Sequence, residues 1–132
     1  MYDKQFDEWT NIKKKIDSHV YKPPLFKERE IWWCSFGVNV GSEVCGKNVS
    51  FRRPVLILKK LSQTSFIGVP LSTKANTGSW YIGVTHSDGM KNTANVAQIR
   101  YIDYRRLDKR IGTLDSIDFE KVKNQLKTVL NI

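Results

Sequence analysis

Arg52-Arg53-Pro54-Val55-Leu56-Ile57-Leu58 is the stretch on which the fold of this 132-residue chain turns. Four consecutive apolar residues, two of them β-branched, form a run too short for a helix and read as a buried strand. Two arginines stand at its entry, and Pro54 holds the residue before it in extended backbone. Working outward, Ile31-Trp32-Trp33-Cys34-Ser35-Phe36, Phe66-Ile67-Gly68-Val69-Pro70-Leu71, Trp80-Tyr81-Ile82-Gly83-Val84 and Val96-Ala97-Gln98-Ile99-Arg100 have the same character. Five short strands separated by turn-rich segments predict a mainly β domain, a small barrel. The segment from Asp115 places Phe119, Val122, Leu126, Val129 and Leu130 on one face, with Asp115 or Ser116 as N-cap, and predicts a terminal helix lying on the barrel. Phe6, Trp9, Ile12 and Ile16 predict an amphipathic helix near the N-terminus, ended by Pro23-Pro24. The expected organisation is an N-terminal helical extension over 1–28 and one barrel domain over 29–132.

Composition limits the function classes. The chain is 40% apolar with 8 Gly and 4 Pro, which excludes fibrous and low-complexity folds. No apolar run approaches the roughly 20 residues of a membrane helix, and the opening residues lack the apolar stretch of a secretory signal. A cytoplasmic protein without membrane association is the expectation. Cys34 and Cys45 are then read as free thiols. The net charge is +9, and residues 31–114 carry +8 of it, so the basic surface belongs to the strands and their loops. That favours a polyanionic partner over a general solubility role.

Metal chemistry finds little support, since Cys34, Cys45, His19 and His86 are scattered with no paired spacing. No cofactor is expected. No glycine-rich loop opens a helix, so nucleotide-binding fingerprints do not apply. His86, in the polar turn His86-Ser87-Asp88-Gly89, reads as a solvated loop histidine. Arginine chemistry remains. RNA carries its own nucleophile, the ribose 2′-OH, so a protein has only to hold the in-line geometry and neutralise charge on the phosphoryl oxygens. A guanidinium at the mouth of the barrel and a hydroxyl from Ser72 or Thr73, at the end of the neighbouring strand, suit that task.

Five separated blocks then occur in order: Glu30-Ile31-Trp32-Trp33, Val40-Gly41-Ser42-Glu43, Arg53-Pro54-Val55-Leu56-Ile57, Val69-Pro70-Leu71-Ser72-Thr73-Lys74, and Gln98-Ile99-Arg100-Tyr101-Ile102-Asp103 with Arg106-Leu107. Their order and spacing resemble the MazF/PemK family of type II toxin-antitoxin toxins over about residues 29–130. The resemblance implies a plugged SH3-like β-barrel of the CcdB/MazF/PemK type that forms homodimers. It also implies a metal-independent endoribonuclease, or mRNA interferase, that cuts single-stranded RNA at short sequence motifs and leaves 2′,3′-cyclic phosphate and 5′-hydroxyl ends. Position by position, it places catalysis on Arg53 and Ser72, with Thr73 adjacent. The loop over the active site falls on Gly41, Ser42 and Glu43, and a further RNA contact on Gln98. Lys47, Arg52, Lys74 and Arg100 are expected to supply affinity for the RNA backbone. Typical members have two or three residues between the Gly-Ser-Glu loop and the arginine strand, where this chain has nine, Val44 to Arg52. Serine stands where the family has threonine, and Ala97 where an acid is common.

A cognate antitoxin with an acidic, largely disordered segment is the implied protein partner, and DNA would be met only through it. Two other readings stay open at this stage. One is an inhibitor of a protein target, as in the related CcdB toxins, although the terminal helix here lacks their final tryptophan. The other is a nucleic-acid-binding barrel without catalysis, in which Trp32, Trp33 or Tyr81 stacks bases.

Overall fold

The computed structural model describes residues 24–36, 52–74, 77–86 and 89–132. Seven strands run in the order β1 (Glu30–Ser35), β2 (Arg52–Lys60), β3 (Ser65–Ser72), β4 (Tyr81–Thr85), β5 (Lys91–Asn95), β6 (Arg100–Asp103) and β7 (Leu107–Thr113), followed by helix α1 (Ser116–Leu130). All pairings are antiparallel and follow the spatial path β4-β5-β3-β2-β1-β7, with β6 added beside the first half of β3. The mainly β reading with a terminal helix is correct. Among the described residues no ladder closes the sheet into a barrel; an antiparallel bridge between His86 and Leu114 ties the end of β4 to the end of β7. The N-terminal helical extension lies outside the described residues up to position 23, while Phe26 is already fully buried, its ring 5.3 Å from that of Phe66.

Two strand expectations need correction. Val96–Gln98 is a 3-10 turn rather than part of a strand, and pairing resumes only at Arg100. β5 and β7, the sequences KNTAN and LDKRIGT, were missed by the apolar-run criterion. Only one face of β5 is buried, with Asn92 and Ala94 inward. β7 is an edge strand whose Asp108, Lys109 and Arg110 are exposed, charges that discourage pairing with another chain.

The central strands are apolar on both faces. On one, Ile31, Leu56, Val69, Leu71, Val84, Ala94 and Leu114 receive Phe119 and Val122 of α1. On the other, Val55, Ile57, Phe66 and Trp32 pack with Phe26, Ile102 and Leu107. Helix α1 is capped by Asp115, whose Oδ1 accepts from the Asp118 N–H at 2.7 Å, and ends at Asn131 in the left-handed conformation. Asp118 faces back to the sheet, its Oδ2 accepting from the Thr85 N–H at 2.8 Å, so a helix carboxylate serves an edge-strand donor. Among the described residues no helix is long and apolar enough to cross a membrane.

Glu30 is a buried acid, 5% exposed, that gathers three donors: the Lys27 N–H (2.8 Å), the Trp32 Nε1–H (3.1 Å) and Arg110 Nη1 (3.1 Å). It fixes the chain entry, β1 and β7 together. Glu30→Ala strands those donors and should cost about 2–4 kcal/mol in chemical denaturation. Gly68 sits where a Cβ would lie 2.6 Å from Val55 Cγ1 and 2.8 Å from Ile102 Cδ1. Gly68→Ala should cost about 1–3 kcal/mol, read the same way, because two packed branches must move.

Candidate functional site

The β2–β3 ladder pairs Val55 with Pro70, Leu56 with Val69 and Ile57 with Gly68. Continued by two residues, that register sets Arg53 opposite Ser72. The Arg53 Nη1 donates to the Leu71 carbonyl at 3.2 Å, which brings the guanidinium to the residue preceding Ser72. On the flanking strands Cys34 is the partner of Arg53 and Thr93 that of Ser72, with Gly83 beyond Thr93. Directly paired residues share a face, so Cys34, Arg53, Ser72, Thr93 and Gly83 form one transverse row across five strands.

Within that row the hydroxyl is oriented. Ser72 Oγ accepts from the Lys74 N–H at 3.1 Å, a local turn that uses a lone pair and leaves the hydroxyl proton to donate elsewhere. Cys34 is not a nucleophile: it is fully buried, and desolvation pushes its thiol well above the usual range despite the nearby Arg106.

Around the row lies a concentration of guanidinium groups. Arg100 stacks over Phe36 with its carbon 4.9 Å from the ring centroid, and Arg106 Nη1 donates to the Ser35 carbonyl at 3.0 Å. Burial, followed by the neighbouring Arg100 charge, pulls Arg106 below the usual arginine value. Arg52 is held differently. It pairs with Asp108 and lies over Trp33, its guanidinium carbon 5.4 Å from the ring centroid, so its charge is partly compensated inside the fold. Thr73 and Lys74 are exposed just beyond Ser72, and Gln98 is half-buried at the end of the 3-10 turn leading into β6.

Of the residues singled out from sequence, Arg52, Arg53, Ser72, Thr73, Lys74, Gln98 and Arg100 can thus be placed. Gly41, Ser42, Glu43 and Lys47 lie outside the described residues, as do Cys45 and His19. Arg106 and Thr93 were not singled out. The Arg106-Leu107 pair closing the last sequence block was the available signal for the first, whereas only the pairing with Ser72 reveals the second. His86 departs from expectation: it is 3% exposed, with neither ring nitrogen hydrogen-bonded among the described residues, because its bridge to Leu114 draws it under the sheet edge. Among the described residues no group of three or more His, Cys, Asp and Glu side chains is placed to hold a metal ion. Of the potential base-stacking aromatics, Trp32 is buried, while Trp33 and Tyr81 are half-buried.

The fold is similar to that of MazF from Deinococcus radiodurans, at a TM-score of 0.64 and 17% identity, over 86% of this chain and all of that one (100%). It is similar to a mycobacterial endoribonuclease solved in complex with its cognate antitoxin, at a TM-score of 0.60 and 17% identity, over 80% of this chain and 94% of that one. A MazE-MazF structure from Deinococcus radiodurans aligns at a TM-score of 0.62 and 15% identity, over 86% of this chain and 99% of that one. No curated protein sequence matches the chain. The sequence itself matches a toxin family over residues 27–130, a span that begins at the chain entry anchored by Glu30 and runs to the end of α1. The arginine strand, the hydroxyl beside it and the covering helix therefore all lie within the matched region, and the chain belongs to the PemK-like, MazF-like toxins of type II toxin-antitoxin systems.

Proposed function

We propose that this toxin is an endoribonuclease that cuts single-stranded RNA at short sequence motifs, without a metal, by attack of the ribose 2′-OH on the adjacent phosphorus. In this reading Arg53 donates to the non-bridging oxygens and stabilises the charge that builds on them, and the Ser72 hydroxyl donates a further hydrogen bond. The bond that forms joins the 2′-oxygen to phosphorus and the bond that breaks releases the 5′-oxygen; the 2′-OH gives its proton to water and the 5′-oxygen takes one from water or from Arg53 as acid, giving a 2′,3′-cyclic phosphate and a 5′-hydroxyl. The observation that carries the reading is the cross-strand placement of Arg53 beside Ser72, whose Oγ accepts from the Lys74 N–H and whose proton meets no acceptor among the described residues. Arg100 and Arg106 add a local positive field suited to a polyanion.

Lys74 and Arg52 are proposed as backbone contacts, the latter after exchanging Asp108 for phosphate, and Thr73 and Gln98 as further RNA contacts. Gly41, Ser42, Glu43 and Lys47 are assigned the covering loop. The protein partner is a cognate antitoxin whose acidic segment occupies the same basic face and excludes RNA. A net charge of +9 supports that assignment, as does the antitoxin seen with the similar mycobacterial endoribonuclease. The toxin is proposed to act as a cytoplasmic homodimer and to meet DNA only through the antitoxin.

The test is incubation of the purified protein with single-stranded RNA in EDTA, with cut ends mapped by primer extension. Wild type should cut at recurrent short motifs, and Arg53→Ala should lose about 10²–10³-fold in rate with an unchanged melting temperature. Intact RNA after prolonged incubation with folded protein overturns the reading. A second series separates the hydroxyl from the backbone turn it makes. Ser72→Ala should lower kcat by about tenfold or more, whereas Ser72→Thr, which retains the donor and stiffens χ1, should stay within a few-fold of wild type.

A further inference from the structure

Beside Ser72, on the β4–β5 side, the sheet carries a cleft of about 380 Å³ lined by Thr73, Gly83, Thr85, Lys91, Asn92 and Thr93. We infer that this cleft is the subsite for the nucleotide next to the scissile phosphate, with Gly83 as its floor and Lys91 as its cation. The inference rests on the RNA-cleaving reading above and extends it to a place where sequence preference is set.

Register fixes the position of the cleft. Thr93 is the partner of Ser72, and Gly83 the partner of Thr93, so the floor lies two strands from the proposed phosphate site. At about 4.8 Å per strand, that is a reach of roughly 10 Å on the same face, which a single nucleotide covers.

Gly83 itself is informative. Its φ is outside the left-handed region, and a Cβ added there would meet nothing within 4 Å. Neither backbone conformation nor packing requires glycine in the middle of a strand, where it weakens the strand. What its missing side chain provides is a flat, open floor against which a base can lie. Lys91 is exposed at the rim and has no ion-pair partner among the described residues, so its charge is available to a neighbouring phosphate.

The register decides which side chains can reach a ligand there. Thr85, Lys91 and Thr93 share the face of Gly83, whereas Asn92 pairs with Val84 and turns to the core side with Ala94. The hydroxyls of Thr85 and Thr93, with that of Thr73 at the rim, suit a ribose.

The experiment uses the full chain with Gly83→Leu, Gly83→Ala and Lys91→Ala. Because space is open at Gly83, the filled variants should fold, checked by circular dichroism and melting temperature. Binding is measured by fluorescence anisotropy with a fully 2′-O-methylated single-stranded RNA, which cannot be cut by 2′-OH attack. Gly83→Leu should weaken binding about tenfold, with Gly83→Ala intermediate and Lys91→Ala weaker by about threefold to tenfold. Cleavage of a randomised RNA pool, with cut ends sequenced, should show the Gly83→Leu base preference flattened at one position beside the cut and retained elsewhere. Unchanged affinity and an unchanged cut profile in folded Gly83→Leu overturn the subsite while leaving the nuclease reading intact. A wild type that binds the RNA but cuts nothing overturns the nuclease reading, and the anisotropy series then decides the cleft alone. A wild type that neither binds nor cuts overturns both.

Discussion

The placement of Arg53 beside Ser72 depends on one irregularity, the β-bulge at Leu58. Near the β2–β3 turn the pairs are Lys60 with Phe66 and Lys59 with Ile67; beyond Leu58 they become Ile57 with Gly68, Leu56 with Val69 and Val55 with Pro70. The extra residue advances the register by one. Without it Pro54 would stand opposite Ser72, and Arg53 would face Thr73 on the other side of the sheet, since a slip of one residue exchanges faces. Hydrophobic patterning alone cannot enforce the correct phase, because β1, β2 and β3 are apolar on both faces and a slipped strand would still be buried. Gly68 supplies the missing specification. A Cβ there would crowd Val55 and Ile102, so packing favours the same register that aligns the guanidinium with the hydroxyl. A backbone position in the core and a chemical position at the sheet end are thus set by one constraint.

The other end of the sheet is held by fewer bonds. Among the described residues β4 has one strand partner, β5, and its far side is met by the His86–Leu114 bridge and the Asp118 carboxylate on the Thr85 N–H. A hydrogen bond to an ionised acceptor is stronger than an amide pair, which lets one side chain replace part of a ladder. Asp118 also lies in the first turn of α1, where a negative charge is favoured by the helix dipole, and Asp115 caps the same turn. The helix therefore fixes the β4 edge as well as covering the core. Since the cleft beside Ser72 is built on β4 and β5, its shape is tied to the start of α1.

Much of this was legible from residue patterns. The apolar runs disclosed β1 through β4, and periodicity with an Asp cap disclosed α1. Arg53 and Ser72 could be marked because each stands at the end of a run the sequence makes obvious. The rest depended on pairing. Asn92 and Ala94 present too little apolar surface to mark β5, and the charges of β7 look like loop chemistry until the strand is known to lie at an edge. His86 read as solvated because its neighbours are polar, whereas its burial arises from a contact 28 residues away in sequence, at Leu114. Thr93 and Gly83 entered the site only through register, a property that no local window contains.

Electrostatics explains why such a surface is retained. Where the fold could neutralise an arginine cheaply it did: Arg52 has Asp108 and the Trp33 face, and Arg105 has the Asp103 carboxylate at 2.9 Å. Arg106 instead lies partly buried near Arg100, and its lowered pKa records unfavourable interaction between burial, like charge and the guanidinium. The Asp103 carboxylate offsets part of that cost. Arg100 and Arg106 together keep a positive field near the row holding Arg53 and Ser72, which suits a polyanion. Binding sites commonly accept such local destabilisation, because groups arranged to meet a ligand's charge cannot also be satisfied by the protein itself. On that argument, and on the proposed RNA-cleaving reading, the closeness of Arg100 and Arg106 is a local cost that a bound polyanion would offset.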